Sequence, residues 1–125
     1  MHTAIVLQGQ KIGRTIGFPT INLDPTILPE NFKEGVYAAV VKYENSIYEA
    51  ALFFGARKIH NETNTVLEIY ILDFDKEIYG EEITFQIKDF IRGVQNFNSL
   101  EEMKKQIQKD IEQISRHSGL SRISS

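Results

Sequence analysis

The chain has 125 residues, of which 42% are hydrophobic and 25% are charged, and its net charge is −3. These values are typical of one globular domain spanning residues 1–125. They also predict no nucleic-acid partner, because proteins that track a phosphate backbone carry a basic excess. The absence of cysteine excludes disulfides, thiolate metal sites and cysteine catalysis. No apolar run approaches the length of a membrane span, so we expect a cytoplasmic protein without membrane contacts, and a monomer.

A first strand, predicted over Thr3–Gln8, leads into a stretch that favours backbone shape and polar placement over apolar burial. Three glycines stand four residues apart, a spacing that fits neither a P-loop nor a dinucleotide-binding fingerprint. A turn-rich connection and a phosphate-binding loop therefore both remain open. The residues concerned, including two cations and two neutral oxygen donors, are Gly9, Lys11, Gly13, Arg14, Gly17, Pro19, Thr20 and Asn22.

Thr20 and Asn22 lie two residues apart, so in an extended segment both side chains point the same way. Two neutral oxygens are too few to enclose a cation. They suit Mg²⁺, which keeps several waters and takes much of its coordination from substrate phosphates. The alternative is a turn in which both side chains bond nearby backbone groups.

Short strands dominate the rest of the chain. Hairpin turns are predicted at Glu44–Asn45, because Asn tolerates the left-handed conformation, and at Tyr79–Gly80. At least five strands with no helix between them predict antiparallel pairing in a barrel or a sandwich. Loops are predicted over Leu23–Glu34 and Lys58–Asn64, and the later strands over Gly35–Tyr43, Ser46–Phe54, Thr65–Phe74 and Glu82–Phe90.

Glu68 is a charged residue on an otherwise apolar strand face, because its neighbours on that face, Val66 and Tyr70, are apolar or aromatic. Burying an unpaired carboxylate is costly, and burial tends to raise its pKa. Such a carboxylate is a candidate general base near neutral pH. The more common alternatives are pairing with an arginine and exposure at a barrel rim.

One helix is predicted over about residues 100–116, followed by a frayed tail. Ser99 and Glu102 form a capping box at its start. Its apolar stripe predicts packing on the outside or the end of the barrel. Arg92, between the last strand and the helix, can reach an anion or stand in solvent. The stripe consists of Leu100, Met103, Ile107, Ile111 and Ile114.

Taken in order, these segments resemble the riboflavin kinase (flavokinase) family. Residues 13–22, Gly-Arg-Thr-Ile-Gly-Phe-Pro-Thr-Ile-Asn, match its signature G-R-x-[IL]-G-x-P-T-A-N, with Ile21 where Ala is usual. Further similarities run through the chain to its C-terminal helix. They comprise Gly35–Ala38 (G-V-Y-A), Leu67–Phe74 (V-E-V-H-I-L-D-F), Ile78–Gly80 (L-Y-G) and Ile91, Arg92, Phe97, Leu100 and Ile107–Asp110 (L-R…F…L…I-x-x-D).

The resemblance implies a six-stranded antiparallel Greek-key β-barrel with a C-terminal helix, and transfer of phosphate from ATP to riboflavin to give FMN. By motif position, Thr20 and Asn22 would hold Mg²⁺ on the nucleotide phosphates, beneath a nucleotide-binding flap over Gly9–Gly17. Glu68 would be the catalytic base for the ribityl 5′-hydroxyl. Arg92 and Phe97 would bind the flavin.

Two departures concern the flavin end of the family pattern. Phe53–His60 replaces the usual N-I-G-x-R-P-T-F, so the Pro-Thr pair is missing, and Tyr70 stands where His is usual. A barrel that binds flavin or nucleotide without catalysis is therefore the alternative function, and an interaction barrel without a ligand is a third. In bacteria this domain commonly follows an FAD synthetase domain, and residues 1–125 show no motif of one.

Overall fold

The computed structural model describes residues 1–7, 20–59 and 62–118. Strands account for most of these residues, with a short 3₁₀ turn at Pro25–Ile27 and one helix at the C-terminal side. The strands are β1 (His2–Ile5), β2 (Ile21–Leu23), β3 (Gly35–Tyr43), β4 (Ser46–Ile59), β5 (Glu62–Ile71) and β6 (Glu82–Arg92), and the helix is α1 (Leu100–Ser118).

The six strands form one sheet in the order β1-β6-β3-β4-β5-β2, and every named pairing between neighbours is antiparallel. The two outer strands meet through an antiparallel bridge between Leu7 and Asn22, where the Leu7 N–H donates to the Asn22 carbonyl at 2.7 Å. This contact nearly closes the sheet into a barrel, which leaves little unpaired strand edge. The predicted six-stranded antiparallel barrel is confirmed.

The barrel interior is filled by side chains that alternate along the strands. On β5 the alternate residues Leu67, Ile69 and Ile71 are buried in the core. On β6 Ile83 and Phe85 are each 1% exposed, as their alternation with polar residues predicts. The interior is therefore a packed core, and any ligand must bind at the rim or on the outer face.

The β4–β5 hairpin is longer than the sequence indicates, and the predicted loop over Lys58–Asn64 is wrong. Pairing continues from Ala56 opposite Thr65 to Ile59 opposite Glu62. Main-chain hydrogen bonds between strands do not depend on side-chain polarity, so a polar stretch can still form a ladder. At its other end β5 stops at Ile71 and not at Phe74. His60 and Asn61, between the two strands, lie outside the described residues.

Two further details differ from expectation. The predicted turn at Glu44–Asn45 is present, but the left-handed conformation falls on Glu44, with φ of 56°. The sequence pattern did not distinguish the three-residue strand β2 from the loop that follows it. So short a strand carries too little alternation to be recognised, and its pairing with β5 defines it.

Helix α1 packs outside the barrel, against β4 and β3. Its start shows the Ser99 half of the predicted capping box, because the Ser99 Oγ accepts a hydrogen bond from the Glu102 N–H at 3.2 Å. Ile114 is completely buried but lies outside the interior core cluster, as do Val36 and Ala38 of β3. A second apolar layer thus separates α1 from the barrel, and the helix ends at Ser118, two residues later than predicted.

Candidate active site

The pairing of β2 with β5 places Asn22 directly opposite Glu68. Directly opposed residues of an antiparallel pair project to the same face, with Cβ atoms about 5 Å apart. Ile21 and Leu23 flank Asn22 and pack with the interior core, as Leu67 and Ile69 do beside Glu68. Asn22 and Glu68 therefore share the outer face of the barrel.

Glu68 is buried on this outer face, with a relative exposure of 5%. On its other side it lies opposite Phe53 of β4. The alternative of exposure at a barrel rim is therefore excluded, and the burial expected of a perturbed carboxylate is present. An acidic side chain in such surroundings is rare in proteins unless it is paired or functional.

Thr20 lies two residues before Asn22 and is half-buried. Because β2 and β5 are antiparallel, the residue before Ile21 and the residue after Ile69 lie on the same side of the Ile21–Ile69 pair. These two residues are Thr20 and Tyr70. Tyr70 is half-buried, and burial, followed by the charge of Asp73, raises the pKa of its phenol. We call Thr20, Asn22 and Glu68 the β2–β5 site, and Tyr70 is its neighbour.

The β2–β5 site offers only oxygen donors: a hydroxyl, an amide carbonyl and a carboxylate. Such donors suit a hard cation like Mg²⁺, which prefers oxygen and retains waters. Among the described residues, no group of three or more His, Cys, Asp or Glu side chains is placed to hold a metal. The donor set thus fits Mg²⁺ held jointly with substrate phosphates.

The glycine-rich stretch is not part of the described chain. Its proposed nucleotide-binding residues, Gly9, Lys11, Gly13, Arg14, Gly17 and Pro19, therefore stay predictions. The structure describes both flanks of this stretch, and they meet in the Leu7–Asn22 bridge. The described residues on either side of the stretch thus lie next to each other at Asn22.

Arg92 does not lie in a loop, because it is the last residue of β6 and pairs with Val36. It is also not a solvated surface side chain. Its guanidinium forms an ion pair with Asp110 of α1, with an Nη2–Oδ2 distance of 2.9 Å, and the two side chains are 17% and 5% exposed. The two groups tie the end of β6 to the helix.

Phe97 lies half-buried in the segment between β6 and α1. The Cζ of Arg92 is 5.9 Å from the centroid of its ring, at the outer limit of a cation–π contact. The two predicted flavin-binding residues are thus brought together. We call Arg92, Phe97 and Asp110 the Arg92 end.

The sequence did not single out Asp110 as a site residue, although a signal was present. Asp110 stands seven residues after Met103, three after Ile107 and four before Ile114, so a charged residue occupies the apolar stripe of α1. A buried charge in such a stripe requires a partner. The partner, Arg92, is 18 residues away in sequence.

A close approach of three segments explains why glycine is kept in the altered run Phe53–His60. A side chain at Gly55 would come within 2.9 Å of the Glu34 Oε1 and 3.0 Å of a Val94 methyl. The Glu34 Oε1 also accepts a hydrogen bond from the Ala56 N–H at 3.1 Å. The start of the altered run thus contacts the segment that carries Phe97.

The rim beside the Arg92 end carries apolar side chains that face solvent. Phe90 is 42% exposed and Val94 is 39% exposed. The Phe90 ring packs edge-on against Tyr37, and the Lys33 Nζ lies 4.1 Å from its centroid. Because the interior is filled, a flat aromatic ligand would have to bind outside it, and this rim offers an exposed apolar surface beside a fixed guanidinium.

The chain is similar in sequence to a known protein family over most of its length. The Flavokinase family, whose description is riboflavin kinase, matches residues 1–118. The chain belongs to the riboflavin kinase family. Family membership accounts for the order of its motifs from the glycine-rich stretch to helix α1.

Relatives within the riboflavin kinase family are longer than this chain. The RNA-binding riboflavin kinase RibR of Bacillus subtilis is 36% identical over 85% of the chain and 46% of its own length. The bifunctional riboflavin kinase/FMN adenylyltransferase of Haemophilus influenzae is 36% identical over 86% of the chain and 35% of its own length. The chain thus spans less than half of each.

A solved structure supports the same fold. A structure titled as a macrolide-efflux protein from Streptococcus pneumoniae superposes with a TM-score of 0.74 and 30% identity, covering 92% of this chain and 38% of its own.

In the part of the chain that the structure describes, no helix is long and apolar enough to cross a membrane.

Proposed function

We propose that the chain transfers the γ-phosphate of ATP to the 5′-hydroxyl of riboflavin, giving FMN and ADP. The observation that carries the proposal is the register that sets Asn22 opposite a buried Glu68, in a chain of the riboflavin kinase family. The β2–β5 site combines a proton acceptor with oxygen donors for a metal. Phosphoryl transfer requires these two components in addition to correct positioning of the substrates.

In the proposed reaction, Glu68 accepts the proton of the ribityl 5′-hydroxyl as its oxygen attacks the γ-phosphorus. A new O–P bond forms, the bond between the γ-phosphorus and the bridging oxygen breaks, and ADP leaves with the electron pair. Thr20 and Asn22 would hold Mg²⁺, which supplies neutralisation of the phosphate charge when it is bound. Lys11 and Arg14 would add positive charge from the glycine-rich flap.

The proposal places the flavin at the Arg92 end and the nucleotide at the β2–β5 site. The exposed Phe90 and Val94 would contact the isoalloxazine ring, and Arg92 and Phe97 would bound it. The protein is expected to act as a cytoplasmic monomer, without a nucleic-acid partner. The name of the Bacillus subtilis relative includes RNA binding, so nucleic-acid binding by this chain should be measured directly.

The test is turnover of riboflavin with MgATP, followed by chromatography of FMN and ADP, for the wild type and for Glu68→Gln. Loss of the general base should lower kcat by about 10³-fold. Glu49→Gln is the matched control, because Glu49 is also buried, with 6% exposure, but lies four residues from Phe53 along β4. Equal rates in the wild type and Glu68→Gln would contradict the proposed role.

A barrel that binds flavin without catalysis is the second candidate, and the altered run Phe53–His60 favours it. It predicts quenching of riboflavin fluorescence on binding, with no consumption of ATP. Binding and turnover measured on the same preparation separate the two functions.

A further inference from the structure

The guanidinium of Arg92 is held on two sides before any ligand binds. Its Nε donates to both carboxylate oxygens of Asp110, at 3.0 and 3.1 Å, and its Nη2 donates to Oδ2 at 2.9 Å. Its Nη1 donates to the Gly93 carbonyl at 3.1 Å. Fork-like contacts of this kind fix the plane of the guanidinium as well as its position.

Asp110 is itself held in place. The Nε2 of Gln106, one helical turn earlier, donates to the Asp110 Oδ1 at 3.0 Å. Both oxygens of the carboxylate thus have partners, and its side chain is 5% exposed. Because Asp110 lies on the buried face of α1, the helix holds the carboxylate rigidly against the end of β6.

Arg92 keeps capacity for a ligand in this arrangement. A guanidinium has five N–H groups, and the contacts with Asp110 and Gly93 engage Nε, one N–H of Nη2 and one of Nη1. Two N–H groups are left without a hydrogen bond to the described residues. The guanidinium that carries them lies beside Phe97, with its Cζ 5.9 Å from the ring centroid.

We propose that Asp110 is a positioning residue for the flavin: through Arg92 it presents two oriented N–H donors to acceptor atoms of the flavin ring. The inference rests on the proposed function, and Asp110 acts on the flavin only through Arg92. A mobile arginine loses rotamer freedom when it binds a ligand, whereas a guanidinium held by Asp110 has lost that freedom already. Asp110 therefore raises the affinity for riboflavin without contacting it.

The experiment compares the wild type with Asp110→Asn, which keeps the size of the side chain but removes its charge and turns one acceptor into a donor. The apparent KM for riboflavin and the Kd from fluorescence quenching are each expected to rise about 10-fold, the effect of ordering one long side chain. The KM for MgATP should stay within about twofold. Glu112→Gln, an exposed carboxylate on the same helix, is the matched control and should change neither constant.

Gln106→Met provides a second variant in case Asp110→Asn does not fold. It removes the hydrogen bond from Gln106 to the Asp110 Oδ1 and leaves the bond from the Arg92 Nε to the same oxygen. It keeps length and helix propensity, and it should raise the Kd for riboflavin about threefold. An unchanged Kd for riboflavin in the folded variants would overturn the inference, as would equal losses for riboflavin and MgATP. The Kd is measured without ATP, so absence of wild-type turnover refutes the proposed kinase activity alone.

Discussion

The β2–β5 site and the Arg92 end are built in different ways. Asn22 and Glu68 meet because main-chain pairing sets the register of two strands, and the Leu7–Asn22 bridge adds a third segment. Arg92 and Asp110 meet because side chains from a strand end and a helix bond to each other. A register is shared by a whole ladder of hydrogen bonds, whereas an ion pair depends on two residues. The first site should therefore tolerate substitutions around it, and the second should not.

After Glu68→Gln, the largest expected effect concerns the proposed metal donors of the β2–β5 site. Asn22→Ala removes an oxygen donor proposed for Mg²⁺ and keeps the main-chain pairing. We expect kcat to fall on the order of 100-fold, because metal charge stabilisation supplies several kcal/mol of the barrier reduction. The Kd for riboflavin should not change. Titration of the rate with Mg²⁺ and a riboflavin binding curve measure the two quantities.

Asn64→Ala is the control for Asn22→Ala, because Asn64 is an exposed residue of β5. It should leave the rate unchanged. If Asn22→Ala weakened riboflavin binding as much as catalysis, the separation between the two regions would be lost.

The next effect tests how tightly the Arg92 end is packed. A Cβ at Gly35 would lie 2.5 Å from the Arg92 carbonyl oxygen and 2.6 Å from the Phe90 ring. Gly35→Ala must displace the end of β6, and we expect a loss of about 2 kcal/mol in the free energy of unfolding. Urea denaturation measures this loss. Gly93→Ala has open space around its Cβ and should change stability by less than about 0.5 kcal/mol.

A smaller loss of stability is expected from a change in the cap at the start of α1, the helix that carries Asp110. Ser99→Ala removes the hydroxyl that accepts from the Glu102 N–H. The loss of this cap should lower the free energy of unfolding by about 1 kcal/mol, whereas Ser99→Asp should retain it. Thermal denaturation of the two variants provides the comparison. Equal melting temperatures would show that α1 is held by its packing alone.

The smallest effect concerns Tyr70, beside the β2–β5 site. Burial raises the pKa of its phenol, so the phenol stays neutral through pH 6–9. Its ionisation therefore causes no step in the pH–rate profile in that range. Tyr70→Phe should change kcat/KM by no more than about threefold, about the worth of one neutral hydrogen bond. Tyr70→His introduces a group that titrates near pH 6.5. Its pH–rate profile should gain a step that the wild type lacks.

Much of the fold was predictable because it depends on local pattern. The alternation of Ile83 and Phe85 with polar residues defined a half-buried strand, and Ser99 with Glu102 defined the helix start. The polar stretch Lys58–Asn64 gave the wrong answer, since strand pairing satisfies the backbone whatever the side chains are. The three-residue β2 was missed because it has too few residues to show a period.

The candidate site was predictable as a set of residues but not as an arrangement. Glu68 stood out as a carboxylate between Val66 and Tyr70, and Thr20 and Asn22 as oxygen donors on one side of an extended segment. Their proximity depends on a pairing between residues that are more than 40 positions apart in sequence, which no local period encodes. The same holds for Asp110, whose place in an apolar stripe was visible but whose partner was not.

The sequence by itself thus determined the strand and helix types, the alternation along the strands, the helix cap and the family motifs, because each depends on neighbouring residues. The tertiary structure alone decided that Asn22 lies opposite a buried Glu68 on the outer face. It also decided that Arg92, which the sequence placed in a loop, ends a strand and is held by Asp110. Register and helix docking follow from the free energy of the whole barrel, in which contacts distant in sequence compete.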